Sequence, residues 1–200
     1  MNKIITIGRE FGSGGRELGK RLAEALGIAY YDKEIITEIS KKTELAYEYV
    51  HQIIEKKPII YYPITIGNTL NTYTHTVSSI SAQVYAEQKN VIRELASKSS
   101  CVIVGRCADY ILQDMNPYRI FVYADIESRM KRCREKGEVD ENLSNKKLQK
   151  MIKNVDRQRK QYYEFYTAND WGNKLNYDIC VNTSGKTIKE IVEEIIEIFK

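Results

Sequence analysis

What this 200-residue sequence lacks narrows what it can be. Its four cysteines, Cys101, Cys107, Cys133 and Cys180, include no C-x-x-C pair, and no two histidines sit at zinc spacing. A zinc module is therefore not expected. Cys101 and Cys180 fall in apolar, strand-like runs and are expected as small core residues, their thiols reduced as in a cytosolic protein. No stretch approaches the ~20 apolar residues of a membrane span, and the opening MNKIITIG has too short an apolar run for a signal peptide. The expected location is the cytoplasm, with no membrane partner. Neither sign of charge dominates. The 31 Lys and Arg against 27 Asp and Glu leave a formal +4, too mild to point to nucleic acid but suited to an anionic small molecule if a few arginines converge.

What is present is ordinary for a globular protein: 42% hydrophobic and 29% charged residues exclude disorder, collagen and disulfide scaffolds. The length fits a single α/β domain over residues 1–200. Tyrosine is abundant, 15 against 4 Phe and 1 Trp. Its polar tip suits surface, cleft-rim or interface positions, and an exposed tyrosine cluster would suit a homodimer contact.

Strand and helix patterns alternate along the chain. Ile4–Ile7 reads as a buried strand, followed by a Gly-rich turn from Gly8 to Gly15 and a helix from about Arg16. Leu18, Leu22, Ala25 and Leu26 form its apolar stripe and Gly27 closes it. Ile28–Tyr31 reads as a second strand, and Asp32 as the cap of a helix carrying Ile35, Ile36 and Ile39. Another helix is expected over about 46–55 and a long one over about 79–97, with a loop or insert over 57–76 between them. Cys101–Val104, Ile120–Tyr123 and Asp178–Val181 read as three further strands, each followed by a helix. Strands separated by helices call for a parallel sheet covered on both faces.

The Gly-rich turn, Gly8-Arg-Glu-Phe-Gly12-Ser13-Gly14-Gly15, lies between a strand and a helix. Glycines there let backbone amides approach a ligand, and the helix start adds the positive end of its dipole. This is how a phosphate cradle is built. The common pattern G-x-x-x-x-G-K-[ST] is not matched. Gly15 stands where the lysine belongs, with Arg16 next as a carrier of the missing charge, and Ser13 is the candidate for the hydroxyl that holds Mg²⁺. A dinucleotide cradle is the rival reading. Gly12-Ser13-Gly14 begins G-x-G-x-x-G, and Asp32 lies about 20 residues on, where a ribose-binding acid belongs, but Glu17 occupies the third glycine position.

Lys146–Tyr166 reads as one helix whose apolar stripe, Leu148, Met151, Ile152 and Val155, runs on into Arg159, Tyr162, Tyr163 and Tyr166 at ~100° per residue. A guanidinium on that face needs an anion, either Asp156 one turn back or a bound phosphate. Arg129 and Arg132 share a face of the helix after the fourth strand. Gly105-Arg106-Cys-Ala-Asp109 follows the third strand, at the carboxyl edge where open parallel sheets bind ligands. A Gly-rich loop with several converging arginines is the equipment of phosphoryl transfer.

The segments ITIGREFGSGGRELGKRLAEALGIAYYDKEII and CVIVGRCADYIL, with Asp156, Arg159, Tyr162 and Tyr163 followed by YDICVNTS, resemble the cytidylate kinase-like family of P-loop nucleoside monophosphate kinases. The resemblance implies a three-layer P-loop kinase fold, its five-stranded parallel sheet in the order 2-3-1-4-5. It implies an acceptor-binding insert over about 32–90 and a helical lid over about 126–166. Gly12, Ser13, Gly14 and Gly15 would hold ATP phosphates, and Asn182, Thr183 and Ser184 would lie near the donor base. Asp32, Arg106 and Asp109 would approach the acceptor, and Arg129, Arg157 and Arg159 would be lid arginines, with Arg16 on the β- and γ-phosphates. The chain departs from that family in lacking the P-loop lysine and in carrying Lys33 where an acceptor-site serine follows the second-strand Asp. The expected activity is ATP- and Mg²⁺-dependent phosphoryl transfer to a nucleoside monophosphate, CMP or dCMP first. A non-catalytic nucleotide sensor and a kinase for a non-nucleotide acceptor are the alternatives.

Overall fold

The computed structural model describes residues 2–55, 71–137, 140 and 143–199. Strand β1 (Ile4–Arg9) runs through the middle of the sheet. Its apolar, β-branched run is what a strand covered on both faces requires. It pairs in parallel with β3 (Cys101–Val104) on one side and β4 (Tyr118–Tyr123) on the other. Beyond them lie β2 (Ala29–Tyr31) and β5 (Ile179–Asn182), giving the order β2-β3-β1-β4-β5, all parallel. That is the expected P-loop kinase order. It differs from the 3-2-1-4-5 order of dinucleotide-binding folds, so the rival cradle reading lacks its scaffold.

The period-2 alternation of strand side chains divides the core in two. Ile5 and Ile7 of β1, with Val102 and Val104 of β3, pack under α1 (Gly15–Leu26) and α8 (Ile188–Ile195). Ile4, Cys101 and Ile103 face the opposite way. They pack under α2 (Lys33–Thr43), α3 (Tyr47–Glu55), α4 (Asn71–Lys98) and α7 (Asn145–Thr167). A short α5 (Ala108–Ile111) follows β3, and α6 (Ile126–Glu135) follows β4. A third, smaller cluster of Cys133, Leu148 and Ile152 joins α6 to α7 and takes in Phe11 from the Gly-rich loop.

Several local expectations change. The buried stripe of α1 is Leu18, Leu22 and Ala23, while Ala25 is exposed. The long helix α4 starts at Asn71 rather than about 79, taking in the end of the loop expected over 57–76, and the rest of that loop, 57–70, lies outside the described residues. The four cysteines are unbridged. Cys180 is exposed rather than core, because β5 is the edge strand and of its alternating residues Val181 turns inward. No helix among the described residues is long and apolar enough to cross a membrane.

Candidate active site

All five strands point their carboxyl ends at one edge, and there the Gly-rich loop crosses from β1 to α1. Gly12 and Gly14 have φ of +74° and +84°, where a side chain is strained. There is also no space for one. A Cβ on Gly12 would lie 2.9 Å from the Arg129 carbonyl oxygen and from Cys133 Sγ, and one on Gly14 would run into Ile188.

The loop carbonyls are tied back one after another. Glu10 O accepts from Ser13 Oγ at 2.8 Å, Phe11 O from Arg129 Nε at 2.7 Å, Gly12 O from Arg132 Nη1 at 2.8 Å and Ser13 O from Thr183 Oγ1 at 2.7 Å. With their negative ends held by donors, these carbonyls do not oppose an anion. Gly14, which caps α1, brings no side chain to the amides of the helix's first turn. The loop and that turn line a cavity of about 390 Å³. Seven cationic side chains line it (Arg9, Arg16, Lys20, Lys33, Arg132, Lys136, Arg159) against four carboxylates (Glu10, Glu17, Asp32, Glu34). Positive groups over an amide-rich loop make an anion site.

The structure redistributes the expected roles. Ser13 is fully buried and its hydroxyl turns inward to Glu10, so it offers no oxygen to a metal in the cavity. Arg16 pairs with Asp32, Nε to Oδ2 at 2.6 Å. That pairing takes Asp32 away from its expected cap: α2 has no side-chain cap bond, and the Asp32 amide instead donates to Glu34 Oε2 at 3.0 Å. The other Asp32 oxygen, Oδ1, is buried without a hydrogen-bond partner.

Arg129 is buried beneath the loop. Besides its bond to Phe11 O it pairs with Glu10 Oε2 at 3.1 Å and with Asp156. Asp156 also accepts from the Phe11 amide at 2.7 Å. So Asp156 serves Arg129 and the loop, not its neighbour Arg159. Arg157 is exposed, bonds Asn154 on its own helix and lines neither of the cavities described here. Arg159 faces inward, its Cζ 5.5 Å from the centre of the Phe11 ring. Thr183 is buried against the loop, Ser184 Oγ accepts from the Asp125 amide and Asn182 Oδ1 from the Ser184 amide. Of the three, Thr183 buttresses the loop, and none lines its cavity.

A second cavity of about 40 Å³ lies beside the first, with Arg106, Asp109, Tyr162, Tyr163, Trp171 and Tyr177 in its wall. The backbone here is unusual. Gly105, Arg106 and Cys107 have φ of +74°, +61° and +54°, a left-handed run that only firm support sustains. Gln88 of α4, fully buried, supplies it: its Nε2 donates to Arg106 O at 2.9 Å and its Oε1 accepts from Tyr162 at 3.2 Å. Tyr163 donates to Asp109 Oδ2 at 2.6 Å.

Burial pushes the Asp109 carboxyl above its ordinary value of 3.8, and the Tyr163 hydrogen bond opposes the rise. A carboxyl raised in this way favours the fold while protonated and weakens it once ionised, so its contribution fades as pH rises. Asp109→Asn removes that dependence. The melting temperature of the variant relative to wild type is expected to climb between about pH 4 and about pH 8. A difference that is flat or falls over that range would show that the Tyr163 bond, not burial, governs Asp109.

Two residues line both cavities, Arg9 and Arg159. Arg159 Nη1 reaches the Arg9 carbonyl at 3.5 Å. The apolar run stops at Ile7, two residues short of Arg9, so nothing in it places Arg9 in the strand. Its one signal is a basic residue between an apolar strand and the glycines.

A sequence model of the cytidylate kinase-like family matches residues 4–185. Two curated relatives span nearly the whole chain. A cytidylate kinase from Staphylothermus marinus is 25% identical over 98% of this chain and 97% of its own length. One from Lactococcus lactis subsp. cremoris is 26% identical over the same shares. Among solved structures, an uncharacterized protein from Eubacterium ventriosum is 32% identical with a TM-score of 0.70, covering 98% of this chain and 97% of that one. A shikimate kinase from Bacteroides thetaiotaomicron shares the fold at 14% identity, with a TM-score of 0.59 and coverage of 100% and 99%.

Proposed function

As the chain belongs to the cytidylate kinase-like family, we propose that it transfers the γ-phosphoryl group of ATP to a nucleoside monophosphate, with CMP or dCMP the first acceptors to try. The observation that carries this reading is the pair of cavities with Arg9 and Arg159 in both linings. Phosphoryl transfer brings two anions end to end and neutralises charge between them.

The Gly-rich loop and the first turn of α1 receive the donor phosphates. The second cavity receives the acceptor phosphate, with Arg106 and Arg159 as its counter-charges. An unprotonated oxygen of that phosphate attacks the γ-phosphorus with its own electron pair. The bond from that phosphorus to the β–γ bridging oxygen breaks, and ADP leaves with the electrons. No proton moves, so no general base is needed. Arg159 can move with α7, and closing that helix over the loop would exclude water as a competing acceptor.

The carboxylate oxygen that fits a magnesium ion is Asp32 Oδ1, without a hydrogen-bond partner and on a residue of the donor cavity wall. Magnesium bound with ATP screens the charge of its phosphates.

A cavity of about 40 Å³ takes a phosphate but not a nucleoside, for which sites of several hundred Å³ are usual. A nucleoside acceptor therefore requires α7 and the Trp171 segment to open. The same dimension favours, as a second reading, a small hydroxylated acceptor. Incubating the protein with Mg²⁺, ATP and a panel of monophosphates and small polyols, with products separated by chromatography, distinguishes them. CDP or dCDP supports the proposal. Turnover of small alcohols alone supports the second reading. ATP binding with no product overturns both and leaves a nucleotide sensor.

A further inference from the structure

The lysine missing from the phosphate loop and the arginine at the end of β1 occupy the same place. A Cβ on Gly15 would lie 2.6 Å from Arg9 Cβ and 3.1 Å from its Cγ. Position 15 is thus bare because the Arg9 stem fills the space where a side chain there would begin. From that point Arg9 runs along the carboxyl edge of the sheet to the start of the loop after β3, where a Cβ on Gly105 would fall on its guanidinium. The side chain is only 9% exposed, yet it lines both cavities. Meanwhile Arg16, the carrier of that charge expected from the sequence, is held by Asp32.

We propose that Arg9 is a catalytic residue that replaces the P-loop lysine from the opposite side of the loop, its guanidinium contacting the oxygens of the phosphoryl group in transit between the two cavities. This rests on the phosphoryl-transfer reading above. As the acceptor oxygen bonds to the γ-phosphorus and ADP departs, negative charge is carried by the three non-bridging oxygens. A planar fork can address two of them at once, where an ammonium addresses one point. Gly15 and Gly105 are bare at the two ends of its path for the same reason: each leaves room for Arg9. The exchange is then mutually exclusive. Lysine at position 15 is incompatible with Arg9 and compatible only with glycine at position 9, since the nearest contact is with the Arg9 Cβ itself.

Calorimetric binding of inorganic tripolyphosphate, which has the charge of the ATP tail and no base, tests the assignment without requiring turnover. Wild type is expected to bind. Arg9→Met is expected to weaken binding at least tenfold, and Arg9→Lys less than threefold. Arg9→Gly combined with Gly15→Lys is expected to recover most of what Arg9→Gly loses, whereas Gly15→Lys alone is expected to lose it. Arg93→Gln, in a surface pair with Asp114, is the control for loss of one positive charge. Should Arg9→Met not fold, Gly105→Ala decides: it keeps the charge but displaces the guanidinium, and a tenfold loss is expected. The proposal is overturned if wild type does not bind, if Arg9→Met or its substitute binds within twofold of wild type, or if the double variant is no better than Arg9→Gly. Arg9-dependent binding without transfer to any acceptor would instead remove the kinase reading and leave Arg9 as the anion ligand.

Discussion

Arg129→Ala is expected to lower the melting temperature by roughly 6–20 °C. Removing one partner of a buried ion pair costs about 3–5 kcal/mol, and each kcal/mol is worth about 2–4 °C in a chain of this size. The side chain is the knot under the phosphate loop: one donor to Phe11 O, and pairs with Glu10 and Asp156. Without it two carboxylates remain close together with no cation between them. Burial already pushes the Glu10 carboxyl above its ordinary value. Arg129 and the Ala124 amide pull it down, and Asp156 adds to the rise. In the variant the Glu10 value rises further, so ionised Glu10 weakens the fold more. The deficit is therefore expected to be larger at pH 8 than at pH 5, since a raised carboxyl loses its stabilising protonated form as pH increases. Thermal melts at the two values check both statements. A drop of under 3 °C at both would show that the loop does not depend on this knot. Arg129→Lys keeps the charge but not the fork, and an intermediate loss is expected.

The second large effect is on chemistry rather than stability. Arg159→Ala is expected to reduce kcat/KM for phosphoryl transfer by roughly 10²–10³, about 2.7–4 kcal/mol of barrier. Arg157→Ala, two residues away, is expected to stay within about twofold. Position alone separates them. Arg159 lies over Phe11 and lines both cavities, while Arg157 projects from the outer face of α7. Arg159 also lies over the Phe11 ring and reaches the Arg9 carbonyl, so its removal is followed for stability as well as for rate. Steady-state kinetics with the best acceptor, beside a melt of each variant, reads both. Equal losses at the two arginines, or a threefold loss or less at Arg159, would place the transferring group elsewhere.

Much of the architecture is readable in the residues. The four apolar residues Cys101–Val104 are β3 as expected, and the Gly-rich run does join the first strand to a helix on the ligand edge. Periodicity found the inward face of α7 as well, since Leu148, Ile152, Tyr162 and Tyr163 are buried. What it cannot see is which element meets which. Asp156 lies one turn from Arg159, so helical spacing offers the two as a pair. Packing of α7 against α6 gives Asp156 to Arg129 instead. Arg16 and Asp32 belong to different elements, and only the fold brings them within 2.6 Å. Cys180 sits in an apolar run, but nothing in that run says that its strand is an edge. Arg9 was hidden because a charged residue beside a glycine does not resemble the end of a buried strand, although its backbone pairs with Val122 of β4.

The central position of β1 also bears on how the chain is made. Ile4 pairs with Cys101 and Ile5 with Tyr118, so β1 has no partner until about a hundred more residues are synthesised after it. At roughly 5–20 residues per second, that is a wait on the order of 5–20 s. Throughout it an apolar β-branched strand presents two unpaired edges, the condition under which nascent chains recruit chaperones or one another. The phosphate loop, anchored to that strand, consequently takes shape only after β3 and β4 have been made, although it is translated well before them.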